Sequence, residues 1–263
     1  MIKIAITGAY GRMGKRIVAL VYESANFGIV GALEDASHPQ LGEDVGMVAG
    51  LGNIGVPVTD DLPRKPDVLI DFSVPTATMA WAEYCADHQL PLVVGTTGLI
   101  DAQMQQLRQY SQKTPILTGA NMSLGVNLLF KLVNQVARSL PDSYDIEIVE
   151  AHHRFKRDAP SGTALELARQ AAGAKQWPLP DCLEHGRAGR EALRRKKTIG
   201  MHAVRGGDIV GEHRVLFSAL GETVELLHRA HNRDTFVRGA LQAAQWLVEQ
   251  KPDLYSMFDV LDL

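Results

Sequence analysis

The sequence predicts an α/β protein in two parts, a doubly wound parallel sheet followed by a unit built on mixed or antiparallel strands. Three observations carry this. Residues 2–34 read as strand, glycine turn, helix, strand and closing acid; apolar runs then alternate with helical patterns as far as Met122; and between Thr198 and Arg229 three alternating strands are separated by Gly206-Gly207 and Leu220-Gly221-Glu222.

Residues 2–7, IKIAIT, form a short apolar run suited to a buried parallel strand, and Gly8-Ala9-Tyr10-Gly11-Arg12-Met13-Gly14 follows at once. Met13, Ile17, Leu20 and Val21 then recur at helical spacing, and residues 27–33 read as the second strand, closed by Glu34. G-x-x-G-x-x-G is a shifted form of the dinucleotide fingerprint, with the same demands: a tight turn, close approach of a pyrophosphate and close helix packing. Its setting between strand and helix, with an acid at the second strand end, points to dinucleotide binding rather than a plain turn, Glu34 accepting from ribose hydroxyls. Residues 35–55 read as a Gly-rich loop. Strands follow at 56–58, 68–72 and 92–94, with helices from about Thr76 and from Asp101. The strand ends carry Asp71-Phe72-Ser73, Gly95-Thr96-Thr97-Gly98 and Gly119-Ala120-Asn121-Met122, where doubly wound sheets form their ligand crevice.

A long helix from about Leu124, with Leu128, Leu132, Val136 and Leu140 on one stripe, leads to a strand containing Ile146 and Ile148, and the domain change is placed there. Residues 1–123 form the first domain, completed by the C-terminal helix 233–263, and residues 124–232 form the second. Residues 173–195, rich in Gly, Pro and charge, read as an arm for a partner. Val237, Ala240, Leu241, Ala244 and Leu247 give the tail helix an apolar face, and the N-terminal sheet is a candidate surface to bury it.

The densest chemistry lies at Glu150–Ala164, EAHHRFKRDAPSGTA, a strand-to-helix corner. His152, His153, Arg154, Lys156 and Arg157 make any pocket there cationic and able to exchange protons, which suits an anionic substrate. Asp158-Ala159-Pro160 is expected to stop the strand, and Thr163 with Glu166 to form a capping box. A helix N-terminus presents backbone N–H groups and a positive dipole end, and Gly162 lets a carboxylate approach closely.

Composition describes a soluble globular protein with ample core: 263 residues, 46% hydrophobic, 22% charged, net charge −3 and pI near 6.3. Nucleic acid is not an expected partner, and the basic run Arg194–Lys197 reads as a solvated edge. Cys85 and Cys182, in dissimilar contexts, point to no disulfide framework and a reducing compartment. No apolar stretch reaches bilayer-spanning length, so no membrane association is expected and the cytoplasm is the expected location. Adjacent strand histidines point to opposite faces, so His152 and His153 are not read as a metal site.

GAYGRMG, DFSVP, VVGTTGL, ANMSLGVN, EAHHRFKRDAPSGTA and VRGGDIVGEH, in this order over nearly the whole chain, resemble the dihydrodipicolinate reductases of bacterial lysine biosynthesis. The resemblance implies an N-terminal Rossmann doubly wound parallel sheet plus a C-terminal α+β domain with an open mixed sheet, through which four subunits associate as a homotetramer. It implies reduction of 4-hydroxy-tetrahydrodipicolinate, a cyclic imine dicarboxylate, with loss of water and with nicotinamide hydride. By similarity Gly8, Ala9, Tyr10, Gly11, Arg12, Met13, Glu34, Gly95, Thr96, Thr97, Gly119, Ala120, Asn121 and Met122 contact NAD(P)H. His152 is the proton donor or acceptor, Lys156 the proton donor, and His153, Ser161, Gly162 and Thr163 bind substrate. Dual-cofactor members carry a basic residue after the ribose acid. Here Asp35 follows Glu34, and two carboxylates in that place predict preference for NADH, with NADPH the alternative and Arg12 the cation that would meet its 2′-phosphate. Two rivals fit the residues less well. A semialdehyde dehydrogenase-like enzyme needs a thiol in a pocket turn, and a dinucleotide-sensing regulator has no need of His152 and Lys156.

Overall fold

Short apolar runs in the first 120 residues, each buried on both sides, pair into one parallel sheet. In the computed structural model, which describes residues 1–263, these are β1 (Ile2–Thr7), β2 (Phe27–Leu33), β3 (Val58–Thr59), β4 (Val68–Asp71), β5 (Leu92–Val94) and β6 (Ile116–Thr118), with β12 (Leu254–Tyr255) added at an edge. The order is β12-β6-β5-β4-β1-β2-β3 and every pair is parallel. The order reverses between β1 and β4, so this Rossmann-like sheet opens its crevice beyond the C-terminal ends of those two strands. Helices α1 (Arg12–Tyr22), α3 (Pro75–His88) and α4 (Asp101–Tyr110) make the crossovers.

Residues 35–55 are not the plain loop expected from their glycines, since α2 (Val45–Ala49) forms within them. The carboxylate of Asp44 caps it, accepting from the backbone N–H of Gly46, Met47, Ile54, Gly55 and Val56 at 2.7–3.4 Å. The basis of that fold is one side chain gathering donors ten residues apart, which no local periodicity reports.

Near the other end of the chain, α7 (Asp234–Leu247) buries Val237, Ala240, Leu241, Ala243, Ala244 and Leu247 in the core of the first sheet. A Cβ at Gly239 would stand 1.7 Å from the Met122 carbonyl oxygen, so the α7 backbone passes directly against the turn after β6. Arg16 and Asp234 join α1 to the start of α7 through two hydrogen bonds of 2.8 and 2.7 Å. β12 and α8 (Met257–Leu261) finish this unit, Met257 lying in its core. The chain divides into two compact units, Met1–Leu124 with Arg233–Asp262, and Gly125–Asn232 with Leu263.

In the second unit α5 (Leu124–Ser139) and α6 (Gly162–Lys175) accompany a five-stranded mixed sheet of β7 (Asp145–His152), β8 (Leu183–His185), β9 (Ile199–Arg205), β10 (Gly211–Ala219) and β11 (Glu222–Ala230). The order is β11-β10-β7-β9-β8, with β7 antiparallel to β10 and parallel to β9. Gly206-Gly207 therefore closes no hairpin: β7 lies between the strands it joins. Ile146, Ile148, Glu150 and His152 alternate inwards on β7, as do His213, Val215 and Phe217 on β10, while outward neighbours such as Arg214, Leu216 and Leu227 stay partly or fully exposed.

Three expectations change here. On α5 the buried side is Val126, Leu129, Phe130, Val133 and Ala137, and Leu128 and Leu132 of the expected stripe face outwards. Two apolar stripes at helical spacing are present, and packing chose the other. Residues 173–195 are bound to the sheet rather than extended from it: Trp177 and Cys182 are buried, β8 pairs with β9, and Arg187 and Arg194 both donate to Glu147 of β7 at 2.8–3.0 Å. Arg194 thereby leaves the solvated edge assigned to it.

Candidate functional site

Two places in the fold gather chemistry, the crevice of the first unit and the corner after β7 in the second. In the crevice Gly8 has φ +74°, and a Cβ there would lie 2.5 Å from the Phe72 carbonyl oxygen. A Cβ at Gly14 would lie 2.2 Å from the Gly8 carbonyl oxygen. Neither position admits a side chain, so the turn lies flat between β1 and α1. Gly11 caps α1 without any side-chain hydrogen bond, leaving the helix start open to an anion.

Behind this turn the fully buried Asp71 organises the strand ends. Its carboxylate accepts from the hydroxyls of Thr7, Ser73 (2.5 Å), Thr78 (2.5 Å) and Thr96 (2.8 Å), and the Ser73 N–H donates to Thr96 Oγ1 at 2.9 Å. One carboxylate thus fixes β1, β4, α3 and the turn after β5 relative to one another.

Two cavities flank the turn. One, of about 410 Å³, is lined by Arg12, Met13, Phe72, Ser73, Gly95, Thr96, Thr97, Gly119, Ala120, Asn121, Met122 and Phe236. The other, of about 700 Å³, is lined by Gly8, Gly11, Glu34, Asp35, His38, Asp60, Val74, Ala77 and Trp81 among others. Most of the residues predicted from sequence to hold a dinucleotide therefore line one of two adjoining spaces. Ala9 and Tyr10 line neither: Ala9 is fully buried, and Tyr10 stacks on His38 at 4.0 Å with its N–H donating to Glu34 at 3.1 Å. Arg12 lines the cavity beside Gly95–Thr97 and is not among the residues lining the one that holds Glu34 and Asp35. Phe236, Trp81 and His38 went unpredicted, because nothing in their local sequence relates them to Gly8.

At the corner β7 ends at His152, earlier than Asp158-Ala159-Pro160, and residues 153–160 form the loop into α6. The cap is Ser161, whose Oγ accepts from the Ala164 N–H at 3.2 Å. The expected capping box of Thr163 and Glu166 does not form: Thr163 is buried one residue inside the helix, and Glu166 accepts instead from Arg169 and Gln170. Gly162 is exposed, and a Cβ there would meet nothing within 4 Å, so the approach to the helix N-terminus is clear. His153 is half-buried next to the exposed Phe155.

Glu150, 1% exposed, sits at the centre. It accepts from His152 Nδ1 at 2.5 Å, from Arg205 Nη1 and Nη2 at 2.8 and 2.7 Å, and from the Ser161 N–H at 3.1 Å. Burial alone would raise its carboxyl, but the hydrogen bonds from His152 and Arg205 outweigh it and hold the group down at about 2. His213 lies edge-on to His152 with ring centroids 5.1 Å apart and shares a 3.1 Å hydrogen bond with Ser161 Oγ. Burial first, then the neighbouring His152, pushes His213 down to about 3, so it is neutral at physiological pH. Lys156 Nζ pairs with Asp158 at 2.8 Å, and the Asp158 carbonyl accepts from Arg205 at 2.7 Å. Burial raises the Asp158 carboxyl, but the Lys156 pair overrides this and lowers it.

The corner thus collects proton-exchanging and cationic groups around an open helix start. Glu150, Arg205 and His213 were not assigned roles from sequence. The spacing of Glu150 and His152 by two along a strand places both on one face, and Arg205 and His213 stand within VRGGDIVGEH, but only the sheet brings these segments together.

The family model described as dihydrodipicolinate reductase, N-terminus, matches residues 2–122, and the one described as dihydrodipicolinate reductase, C-terminus, matches residues 125–261. A 4-hydroxy-tetrahydrodipicolinate reductase of Syntrophus aciditrophicus (strain SB) is 46% identical over 264 residues, covering 99% of this chain and 98% of the relative. One of Geotalea uraniireducens (strain Rf4) is 45% identical over the full length of both. Among solved structures, a dipicolinate-bound dihydrodipicolinate reductase from Paenisporosarcina sp. TG-14 superposes with a TM-score of 0.77 at 27% identity, covering 98% of each chain. An amine dehydrogenase from Mycobacterium smegmatis, covering 97% of this chain and 95% of its own at 14% identity and TM-score 0.61, shares the fold alone.

His213 and Glu150 make stability depend on pH with a defined sign. An unfolded histidine protonates near 6.5 and the folded one near 3; an unfolded glutamate protonates near 4.5 and the folded one near 2. In each window the unfolded chain binds more protons, so stability falls as pH drops from 6.5 towards 3 through His213 and from 4.5 towards 2 through Glu150. The urea midpoint of the wild type should fall over these ranges, and His213→Gln should flatten the upper one. Equal midpoints for wild type at pH 7 and pH 4.5 would contradict the assignment of His213.

Proposed function

The chain belongs to the dihydrodipicolinate reductase family and is an oxidoreductase of diaminopimelate and lysine biosynthesis, with the 4-hydroxy-tetrahydrodipicolinate reductase activity its relatives are named for; on that premise we propose which residues perform the reaction. One observation carries the reading. Two proton-exchanging groups, His152 and Lys156, stand beside a helix start whose Gly162 leaves the backbone N–H groups open, as a dicarboxylate that must be both held and protonated requires.

A nicotinamide dinucleotide fits the first unit, where Gly8 and Gly14 leave no side chain against the turn and the start of α1 is uncapped; when bound it supplies the hydride. Gly8, Gly11, Glu34 and Asp35 would hold its adenosine half, and Arg12, Met13, Gly95–Thr97 and Gly119–Met122 its nicotinamide half. In the second unit Gly162 and Thr163 bind one substrate carboxylate at the helix N-terminus and His153 and the corner cations the remainder. Reduction of a conjugated imine leaves electron density that takes up a proton, which Lys156 gives, with His152 the second proton-transfer group. Two free buried cysteines accord with a reducing compartment, the cytoplasm, and no helix is long and apolar enough to cross a membrane.

A coupled assay tests the activity directly: with dihydrodipicolinate synthase, pyruvate and aspartate semialdehyde supplied, the chain should consume NADH. Lys156→Met and His152→Gln should each lower kcat by ~10²–10⁴-fold with NADH affinity nearly unchanged. Gly162→Val should leave thermal stability as it is, because its Cβ enters open space, and chiefly raise substrate KM. Wild-type kcat in both the Lys156 and His152 variants would reduce the corner to a binding site.

NADH is the proposed preference. Glu34, Asp35 and Asp60 line the larger cavity with no arginine or lysine among its lining residues, and Ser37, through its hydroxyl and N–H, holds the Asp35 carboxyl below the usual range. A 2′-phosphate there meets like charge. Asp35→Arg should move the kcat/KM ratio towards NADPH by about tenfold, the scale of one charge-assisted pair. Equal or better kcat/KM of the wild type with NADPH would show this wrong.

A homotetramer is the proposed assembly, supported by the open outer face of β10 and β11, where Leu216 and Leu227 lie among charged neighbours. Light scattering at micromolar concentration should give four times the 28.7 kDa chain mass. A monomer under those conditions would dismiss it.

A further inference from the structure

We propose that Glu150, clasped by Arg205, is the positioning residue that fixes the tautomer and orientation of His152, accepting from its Nδ1 so that Nε2 is the atom that exchanges a proton with substrate. The inference rests on the reading of the corner as the reductase active site.

The geometry leaves Glu150 one arrangement. Its Oε1 accepts from the Ser161 N–H and Arg205 Nη2, and its Oε2 from Arg205 Nη1 and His152 Nδ1, so both oxygens are fully engaged. Ionised, the carboxylate only accepts, so Nδ1 carries the hydrogen in the 2.5 Å contact and the lone pair of the neutral ring lies on Nε2. The opposite edge of the ring packs against Gly211 of β10, where a Cβ would lie 3.2 Å from His152 Nε2 and 3.5 Å from its Cδ2, so only glycine leaves that nitrogen uncrowded. A hydrogen-bonded anchor at one nitrogen, with no side chain at position 211 crowding the other, is what a ring needs to pass protons in one direction.

The surrounding charges come from every element packed on the ring: Glu150 on β7, Arg205 at the end of β9, His213 on β10, and Lys156 with Asp158 on the loop before α6. His213 is neutral and bound to Ser161 Oγ, so it does not compete for the Glu150 carboxylate. Arg205 also donates to the Asp158 carbonyl, and Asp158 pairs with Lys156. The same guanidinium that locks Glu150 therefore ties down the loop carrying the second proton-transfer group. During turnover the proton enters or leaves at Nε2, and Glu150 stays ionised, stabilising the imidazolium while it exists.

The test combines kinetics with the nitrogen signals of 15N-histidine-labelled full-length protein, the His152 pair being assigned by its loss in His152→Gln. Wild type should show Nδ1 protonated and Nε2 bare at pH 8. In Glu150→Gln the amide can donate to Nδ1 and release that tautomer, so the signals should change, and kcat should fall by ~10²-fold while KM and the affinity for dipicolinate, used as the probe, stay within about twofold. Glu150→Asp should recover part of kcat. Should Glu150→Gln fold poorly, Arg205→Lys removes half of the clasp and should lower kcat by about tenfold with the same change of signals. Wild-type kcat and unchanged His152 signals in either folded variant, with His152→Gln inactive, would overturn the proposal and leave the reading of the active site intact. Wild-type kcat in His152→Gln would instead overturn that reading itself.

Discussion

A carboxylate withdrawn from water has to be met by donors, and the buried Asp71 and Glu150, like the half-buried Asp44 and Glu147, are each met by a cluster of them. Asp44 collects five backbone N–H groups and folds residues 45–56 around itself. Asp71 collects four hydroxyls and joins the strand ends of the crevice. Glu147 draws Arg187, Arg194 and His202 onto the outer face of β7, and Glu150 draws Arg205, His152 and the Ser161 N–H to its inner end. Removing one donor from the buried Asp71 or Glu150 cluster leaves a carboxylate oxygen short of a partner away from water, which is costly.

The two units meet this demand with different donors, and their chemistry follows. In the first, Asp71 is satisfied by uncharged hydroxyls, which make the crevice rigid without adding cations, and the anion site is left to the backbone N–H groups at the start of α1. In the second, the side chains that donate to Glu150, His152 and Arg205, are themselves titratable or cationic. The carboxylate that organises the corner therefore also decides which nitrogen of His152 faces outwards, and structure and proton chemistry share one hydrogen-bond network.

Much was legible locally. Glycines at Gly8 and Gly14 stand where a Cβ would collide with backbone, and such a requirement shows as an unbroken spacing. The alternation of Ile146, Ile148, Glu150 and His152 reports the inward face of β7 before any partner strand is known. Legibility failed where two local answers were equally good. Thr163 with Glu166 and Ser161 with Ala164 are both acceptable helix starts, and Ser161 prevails because its N–H is drawn to Glu150 and its hydroxyl to His213. On α5 two apolar stripes compete, and tertiary packing buries Leu129 and Val133 while Leu128 and Leu132 stay exposed. Arg12 stands within the fingerprint in sequence, and in the fold it lines the cavity of Gly95–Thr97.

By itself the sequence determined the Rossmann-like sheet with its glycine turn and the strand-to-helix corner with His152 and Lys156, because steric exclusion and periodicity act between residues close along the chain; the family followed from the resemblance of its motifs. Tertiary structure alone decided that β7 separates β9 from β10, that Arg205 and His213 reach the corner from those two strands, and that Phe236 closes one wall of the crevice. These depend on strand order and on buried charge seeking donors. For Arg205 and His213 those partners lie fifty or more residues away along the chain, and no local pattern encodes which partner that is.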